Sequence, residues 1–315
     1  MKKVLVTGAT GQIGSELTTA LREKLGMENV IAAGHKKTPE QRFIDSGPFH
    51  CLDVNRIETI AALVERYKVD TIYHLAAILS ATAEKNPQLG WHINVDGLCN
   101  VLEIAREYKC AVFTPSSIGV FGAETPKDNT PQDTIQRPST IYGISKVTGE
   151  LLCDYYFTKY GVDTRGVRYP GLISYKTPPG GGTTDYAVEI YFEAVKNRKY
   201  TCYLKPETYL DLMYMPDAVK AAIDIMTADP ETIRHRNAYN VSSMSLTPEI
   251  ITASIKKIIP DFSIDYKIDP LRQAIADSWP NKMEDRVARE EWGWMPDYDL
   301  DAMTEDMIRN ISQSR

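Results

Sequence analysis

Three observations predict an α/β fold: a doubly wound parallel sheet followed by a smaller C-terminal α/β domain. Short apolar runs alternate with amphipathic stretches through the first half of the chain. A glycine-rich turn joins the first apolar run to the first amphipathic one, and beyond residue 170 the alternation loosens into Pro- and Gly-punctuated segments. Strands alternating with helices form βαβ units, whose crossovers make neighbouring strands parallel.

The predicted strands are residues 3–7 (KVLVT), 29–33 (NVIAA), 71–76 (TIYHLA), 111–115 (AVFTP) and 164–169 (TRGVRY). Helical patterns, with apolar residues three and four apart, cover 13–25, 57–67, 94–108 and 142–160. Further on, LTPE (246–249) reads as a helix start, with Thr247 as cap and Pro248 in the first turn.

Composition narrows the class. With 315 residues, 43% hydrophobic and 25% charged, the chain has the make-up of a soluble globule with an ample core. A net charge of −6 speaks against nucleic acid or an anionic membrane as partner. The cysteines (Cys51, Cys99, Cys110, Cys153, Cys202) form no CxxC pair, so neither a zinc knuckle nor a disulfide framework is expected. No apolar run approaches the roughly 18 residues of a membrane span, and the first strand begins at once, without a signal-peptide pattern. A cytoplasmic location is expected.

VLVTGATGQIG (4–14) is a strand, a glycine turn and a helix start, with Gly8, Gly11 and Gly14 three apart. Glycines let the turn tighten and let a pyrophosphate approach the backbone; the N–H groups at the helix start, around Gln12 and Ile13, then face the phosphates. A Rossmann-type dinucleotide domain is therefore expected over residues 1–170 with about 209–241. The remainder, about 171–208 and 242–315, is expected to bind substrate. The acidic residue that usually holds the adenosine ribose belongs at the end of the second strand. That place reads AAGHKK, with Gly34 followed by His35, Lys36 and Lys37. On these residues NAD and NADP stay open. Asp53, followed by Val54, either reaches the adenine or caps the next helix.

Tyr142 and Lys146 lie four apart on a predicted helix, hence on one face. A tyrosine hydroxyl, with a pKa near 10, needs a neighbouring cation to act as a base at neutral pH. Upstream, Ser116 and Ser117 end a strand at the edge where α/β sheets bind ligands.

In this order, TGATGQIG (7–14), HLAA (74–77), Asn94-Val95, SSIGVFG (116–122), YGISK (142–146) and RYP (168–170) resemble the extended short-chain dehydrogenase/reductases. The resemblance implies Ser117, Tyr142 and Lys146 as catalytic residues. It also implies that Leu75, Ala76, Ala77, Asn94, Tyr169 and Pro170 line the cofactor, and that NAD is the cofactor. It suggests a homodimer pairing helices 94–108 and 142–160.

Many members act on nucleotide sugars, using R-x-x-N after the sixth strand and a later Arg-Asp-Phe-like stretch. Here the first reads RYPG, with Gly171 in place of Asn, and the second YLDLMYMPDA (209–218), without the arginine. By contrast PGGGTTDYAVEIYF (179–192), LSATAE (79–84), MYMPDA (213–218) and DSWP (277–280) resemble the short-chain type of L-threonine 3-dehydrogenase. That resemblance implies oxidation of the L-threonine β-hydroxyl to 2-amino-3-oxobutanoate. Gly182, Thr183 and Thr184 would meet the carboxylate at a helix start. Asp185 would attract the ammonium or cap the helix, Trp279 would wall the pocket or fill the core, and Ser80 or Ser116 would assist Ser117. The histidines (His35, His50, His74, His92, His235) show no metal-ligand spacing, so no metal is implied. The rivals are a nucleotide-sugar epimerase or dehydratase and a non-catalytic dinucleotide-binding regulator.

Overall fold

The computed structural model describes residues 1–36, 38–176 and 182–313; Lys37 and residues 177–181, with most of the PPGGG run, lie outside the described residues. Strands β1 (Val4–Thr7), β2 (Val30–Gly34), β3 (Phe49–Cys51), β4 (Thr71–His74) and β5 (Ala111–Phe113) are followed by β6 (Ser116–Ser117), β7 (Thr164–Arg165) and β8 (Val167–Tyr169). Then come β9 (Gly171–Ile173), β10 (Lys199–Cys202), β11 (Leu210–Tyr214), β12 (Tyr239–Asn240), β13 (Met244–Leu246) and β14 (Ser263–Tyr266). The main sheet is parallel throughout in the order β3-β2-β1-β4-β5-β7. This is the doubly wound order, with its switch point between β1 and β4.

The predicted strand 164–169 is split at Gly166, where the backbones run so close that a Cβ would stand 2.3 Å from the Thr114 carbonyl oxygen. Facing it, the chain from β5 also breaks at Thr114 and Pro115 before resuming as β6. Past this double kink, β6 and β8 pair again and β12 joins them in parallel. β3, reading FHC, was missed by the sequence because it carries no apolar run.

The sheet's two faces are separately covered. Leu5, Ile31, Ile72 and Val112 pack with the helices Ile57–Tyr67, Gly97–Tyr108 and Ile141–Tyr160. Val4, Val6, Ala32 and Phe113 pack with the helices Gln12–Leu25 and Met215–Thr227. A third core fills the C-terminal half, where β9-β11-β13 and β10-β14 form small sheets. β11 serves two cores: Leu210, Leu212 and Tyr214 enter the third, whereas Met213, with Met215 just past the strand, enters the second. That division follows from the two-residue alternation of a strand.

Thr247 caps its helix as expected, its hydroxyl accepting from the Ile250 N–H at 3.1 Å. The helix expected from residue 94 instead begins with a π-turn over His92–Asp96. Among the described residues no helix is long and apolar enough to cross a membrane. None of their His, Cys, Asp and Glu side chains group in threes to hold a metal ion.

Candidate active site

The cofactor cradle is built by close approach. Gly8 has φ +69°, and a Cβ on it would lie 2.6 Å from the Leu75 carbonyl carbon and the Ala76 nitrogen. A Cβ on Gly14 would meet the Gly8 oxygen at 2.2 Å. Both positions therefore require glycine. The helix behind them starts at Gln12 with no side-chain cap and no acid in its first turn. Its first N–H groups have no intrahelical partner and meet the positive end of the dipole. These residues fit a dinucleotide pyrophosphate. Gly34 fits the same pattern of crowding: its Cβ would stand 2.9 Å from Thr10 Cγ2 and 3.1 Å from Thr10 Oγ1. Thr10 thus fills the place of the missing acid. His35 and Lys36 are exposed beside it. A cleft lined by Thr10, Ser15, Thr38 and Arg42, with about 500 Å³ of free space, adjoins.

One Asp53 oxygen accepts from the Asn55 N–H at 3.0 Å, so the residue serves as a turn cap. Val54 is buried. Tyr169 turns its hydroxyl to the Ala218 carbonyl at 2.5 Å, which leaves its backbone, with Pro170, for a cofactor. Asn94 sits inside the π-turn, where it accepts from the Ile78 N–H at 2.8 Å and donates to the Ile78 carbonyl at 3.0 Å. It thereby ties the segment after β4 to the helix, and π-turns recur at functional sites for such reasons.

Ser117, Tyr142 and Lys146 come together at the end of β6. The Tyr142 ring lies over Gly119, where a Cβ would be 3.3 Å from its Cε1 and 3.4 Å from Ser117 Oγ. Lys146 Nζ lies 5.7 Å from the Tyr142 ring centre and donates to the Pro115 carbonyl at 2.7 Å. Burial pushes the Tyr142 hydroxyl above its ordinary value, and the Ser117 hydroxyl pulls it down. Burial also lowers Lys146 to about 8, against the opposing pull of the Glu150 carboxylate. His74, buried and close to Lys146, is lowered to about 3 and shares a 2.9 Å hydrogen bond with Thr7.

Beneath the trio lies a network that the sequence reading missed. Glu150 takes two bonds from Arg168, at 2.9 and 2.8 Å, and one from Gln136 at 2.7 Å. It also receives the Ser116 hydroxyl. Ser116, expected to assist at the substrate, is therefore spent on holding the strand end. Lys146 and Glu150 grip Pro115 and Ser116, so one helix face fixes the approach to Ser117. The available signal was Glu150 four residues after Lys146.

On the substrate side, the turn Thr183–Asp185 precedes the helix Tyr186–Asn197. The Gly182 N–H donates to Asp185 Oδ2 at 2.6 Å. The Tyr186 N–H donates to the Tyr203 hydroxyl at 2.7 Å. Asp185 thus caps the turn through one carboxylate oxygen. Thr183 is buried; Thr184, half-buried, stands outside the capping bonds. Trp279 packs in the core of the C-terminal half. Ser80 opens the short helix Ser80–Lys85 beyond the HLAA segment. Ser174 and Lys176, which lead toward this loop, bind Glu16 of the cofactor helix at 2.5 and 3.4 Å.

Comparisons with known proteins agree with this architecture. A model of the "NAD dependent epimerase/dehydratase family" matches residues 4–242. An uncharacterized epimerase/dehydratase of Staphylococcus haemolyticus is 55% identical over 99% of this chain and 98% of its own. The solved L-threonine dehydrogenase of Clostridium difficile is 55% identical, with a TM-score of 0.98 over 100% of this chain and 98% of that one. A monomeric L-threonine 3-dehydrogenase from a metagenome is 47% identical, with a TM-score of 0.94 over 99% of each chain. The chain belongs to the NAD dependent epimerase/dehydratase family, and within it stands beside solved L-threonine dehydrogenases.

Proposed function

We propose that this chain oxidises the β-hydroxyl of L-threonine to 2-amino-3-oxobutanoate. The observation that carries the reading is the meeting of Ser117, Tyr142 and Lys146 behind a glycine cradle, in a chain 55% identical to an L-threonine dehydrogenase. NAD, which the Gly8–Gly14 cradle would hold, would serve as the hydride acceptor and bring a positive charge to the site. The deprotonated Tyr142 oxygen removes the hydroxyl proton as that hydride leaves. Ser117 donates to the developing carbonyl oxygen. The Lys146 ammonium, anchored on the Pro115 carbonyl, favours the phenolate and holds the cofactor ribose. Thr184 meets the substrate carboxylate through its hydroxyl.

Two features favour a small amino acid over a nucleotide sugar. Leu210, at the position of the diphosphate-holding arginine, is wholly buried in the C-terminal core, and Gly171 offers no side chain. The proposed division of labour, with residues 1–170 and about 209–241 for cofactor, is supported by a core drawn mostly from 171–208 and 242–315, which Ile118, Val120, Phe121, Leu210, Leu212 and Tyr214 join. NADH absorbance with L-threonine, with UDP-sugars or with neither decides between the dehydrogenase, the epimerase or dehydratase, and the regulator.

A second copy of the chain is the proposed partner. Ile144, Leu151 and Tyr155, exposed at 42%, 62% and 51%, share one face of the Ile141–Tyr160 helix. Light scattering on wild type and Leu151→Glu tests it; a monomer in both overturns the homodimer.

A further inference from the structure

Strand β9 and the substrate turn press together at one point. A Cβ built on Gly171 would stand 2.6 Å from Leu212 Cδ2, 2.7 Å from Thr184 Cγ2 and 2.9 Å from Thr184 Cβ. The backbone of Gly171 is not in the left-handed region, so its conformation does not call for glycine; the space does. Leu212 Cδ2 is the far end of a side chain packed in the C-terminal core, a single contact against the two made by Thr184. Thr184 Cβ is carried by a backbone pinned on both sides. The Gly182–Asp185 bond closes the turn before it, and the Tyr203 hydroxyl accepts from Tyr186 at 2.7 Å while donating to the Thr183 carbonyl at 3.3 Å. Tyr203 itself is held under the Arg272 guanidinium, 4.2 Å from its ring centre. Any side chain at 171 must therefore displace Thr184 as a unit with its turn.

We infer that Gly171 is a positioning residue that sets where Thr184 stands, and so fixes the substrate site for a small amino acid. The inference rests on the reading that Thr184 contacts L-threonine. Gly171 acts only through its missing side chain: the space it leaves is filled by the Thr184 methyl group, which brings the hydroxyl on the same carbon to a fixed place. The same contact makes a longer side chain at 171 and an inward Thr184 mutually exclusive.

A double-mutant cycle tests it. Gly171→Ala should lower kcat/KM for L-threonine by up to about 100-fold, as displacement of a binding group by about 1 Å does. The loss should lie mainly in KM. NAD affinity, read by fluorescence titration, should match wild type. Thr184→Ser removes the methyl but keeps the hydroxyl. On that background Gly171→Ala should cost several-fold less than on wild type. Leu212→Val, which trims the other contact, should not relieve it. A wild-type KM in Gly171→Ala, equal costs on both backgrounds, or relief by Leu212→Val overturns the inference while leaving the dehydrogenase reading intact. Should Gly171→Ala alone fail to fold, the double variant decides, since a soluble double variant turning over L-threonine supports the pairing and an insoluble one overturns it. No NADH from wild type with L-threonine overturns the substrate reading, and this inference with it.

Discussion

Two turns open two helices toward the active site, and they treat their amide groups in opposite ways. At Gly8–Gly14 the helix begins with no cap and no acid in its first turn. At Gly182–Asp185 the chain caps itself: Asp185 takes the Gly182 N–H and Tyr203 takes that of Tyr186. An uncapped helix start invites an anion from outside, and a capped one has already met its need. The first turn therefore leaves its backbone N–H groups open to a ligand, whereas in the second the N–H groups of Gly182 and Tyr186 are already taken. A Gly- and Thr-rich helix start is thus an anion site only if its own residues leave it unfinished.

The largest expected effect comes from sparing both turns. Tyr142→Phe should lower kcat by about 10²–10⁴-fold while NAD titration stays normal, since only the proton acceptor is lost. More than a tenth of wild-type turnover would refute the assignment. Because burial raises the Tyr142 hydroxyl, wild-type kcat/KM should climb with pH until the phenol ionises. Ser117 lowers that value, so Ser117→Ala should shift the rising limb to higher pH; a shift to lower pH contradicts this.

Breaking the open turn comes next. In Gly8→Ala a Cβ meets backbone at 2.6 Å in a left-handed residue. Strain of about 1–2 kcal/mol and crowding of about 1–3 kcal/mol together weaken NAD by roughly 30- to 4,000-fold at 1.4 kcal/mol per decade. Isothermal titration checks it, and unchanged affinity would show that the cradle is not used.

Thr184→Ala addresses the closed turn. Losing a bond to a charged ligand costs about 1.5–3 kcal/mol, or roughly 10- to 150-fold in kcat/KM, with NAD affinity unchanged. Since Asp185 and Tyr203 do the capping, the melting temperature should hardly move. A lowered melting temperature with unchanged kinetics would make Thr184 merely structural.

Gly34→Asp restores the acid at the ribose, but onto Thr10. It should weaken NAD several-fold, and adding Thr10→Ser, which removes the Cγ2 contact, should recover affinity with a sharper preference for NAD over NADP. Equal affinities in the single and double variants would mean that Thr10 does not occupy the acid's place. The smallest effect is expected of Asp185→Asn. Asparagine caps about as well as aspartate, so stability and the KM for L-threonine should stay within about twofold; a much larger KM would restore the carboxylate as an ammonium ligand.

What was legible depended on how local its cause is. The glycine spacing and the Tyr142–Lys146 interval are set within one turn, and the helix Ile57–Tyr67 was read to the residue. The π-turn at His92–Asp96 was not, because it belongs with the bonds from Asn94 to Ile78 and Ser145. Asp185 stayed ambiguous because cap and ligand share one local pattern. The pinning of the turn by Tyr203, and the fixing of Ser116 by Glu150 from 34 residues on, needed contacts that no periodicity encodes. Gly34 and Gly171 were visible as departures, but their reasons, Thr10 and Thr184, lie in other elements.

β11 has a bearing on how such chains can be recombined. Its leucines and Tyr214 belong to one core, and Met213, with Met215 just past the strand, to another. A chimaera joined within β11 would inherit a row of side chains shaped for a neighbour it no longer has. Joined in exposed loops, with all of β11 from one parent, it would still need that parent's partners on both sides. Grafting one half alone would therefore break packing on both sides of β11, because the halves share that strand and are not separable modules.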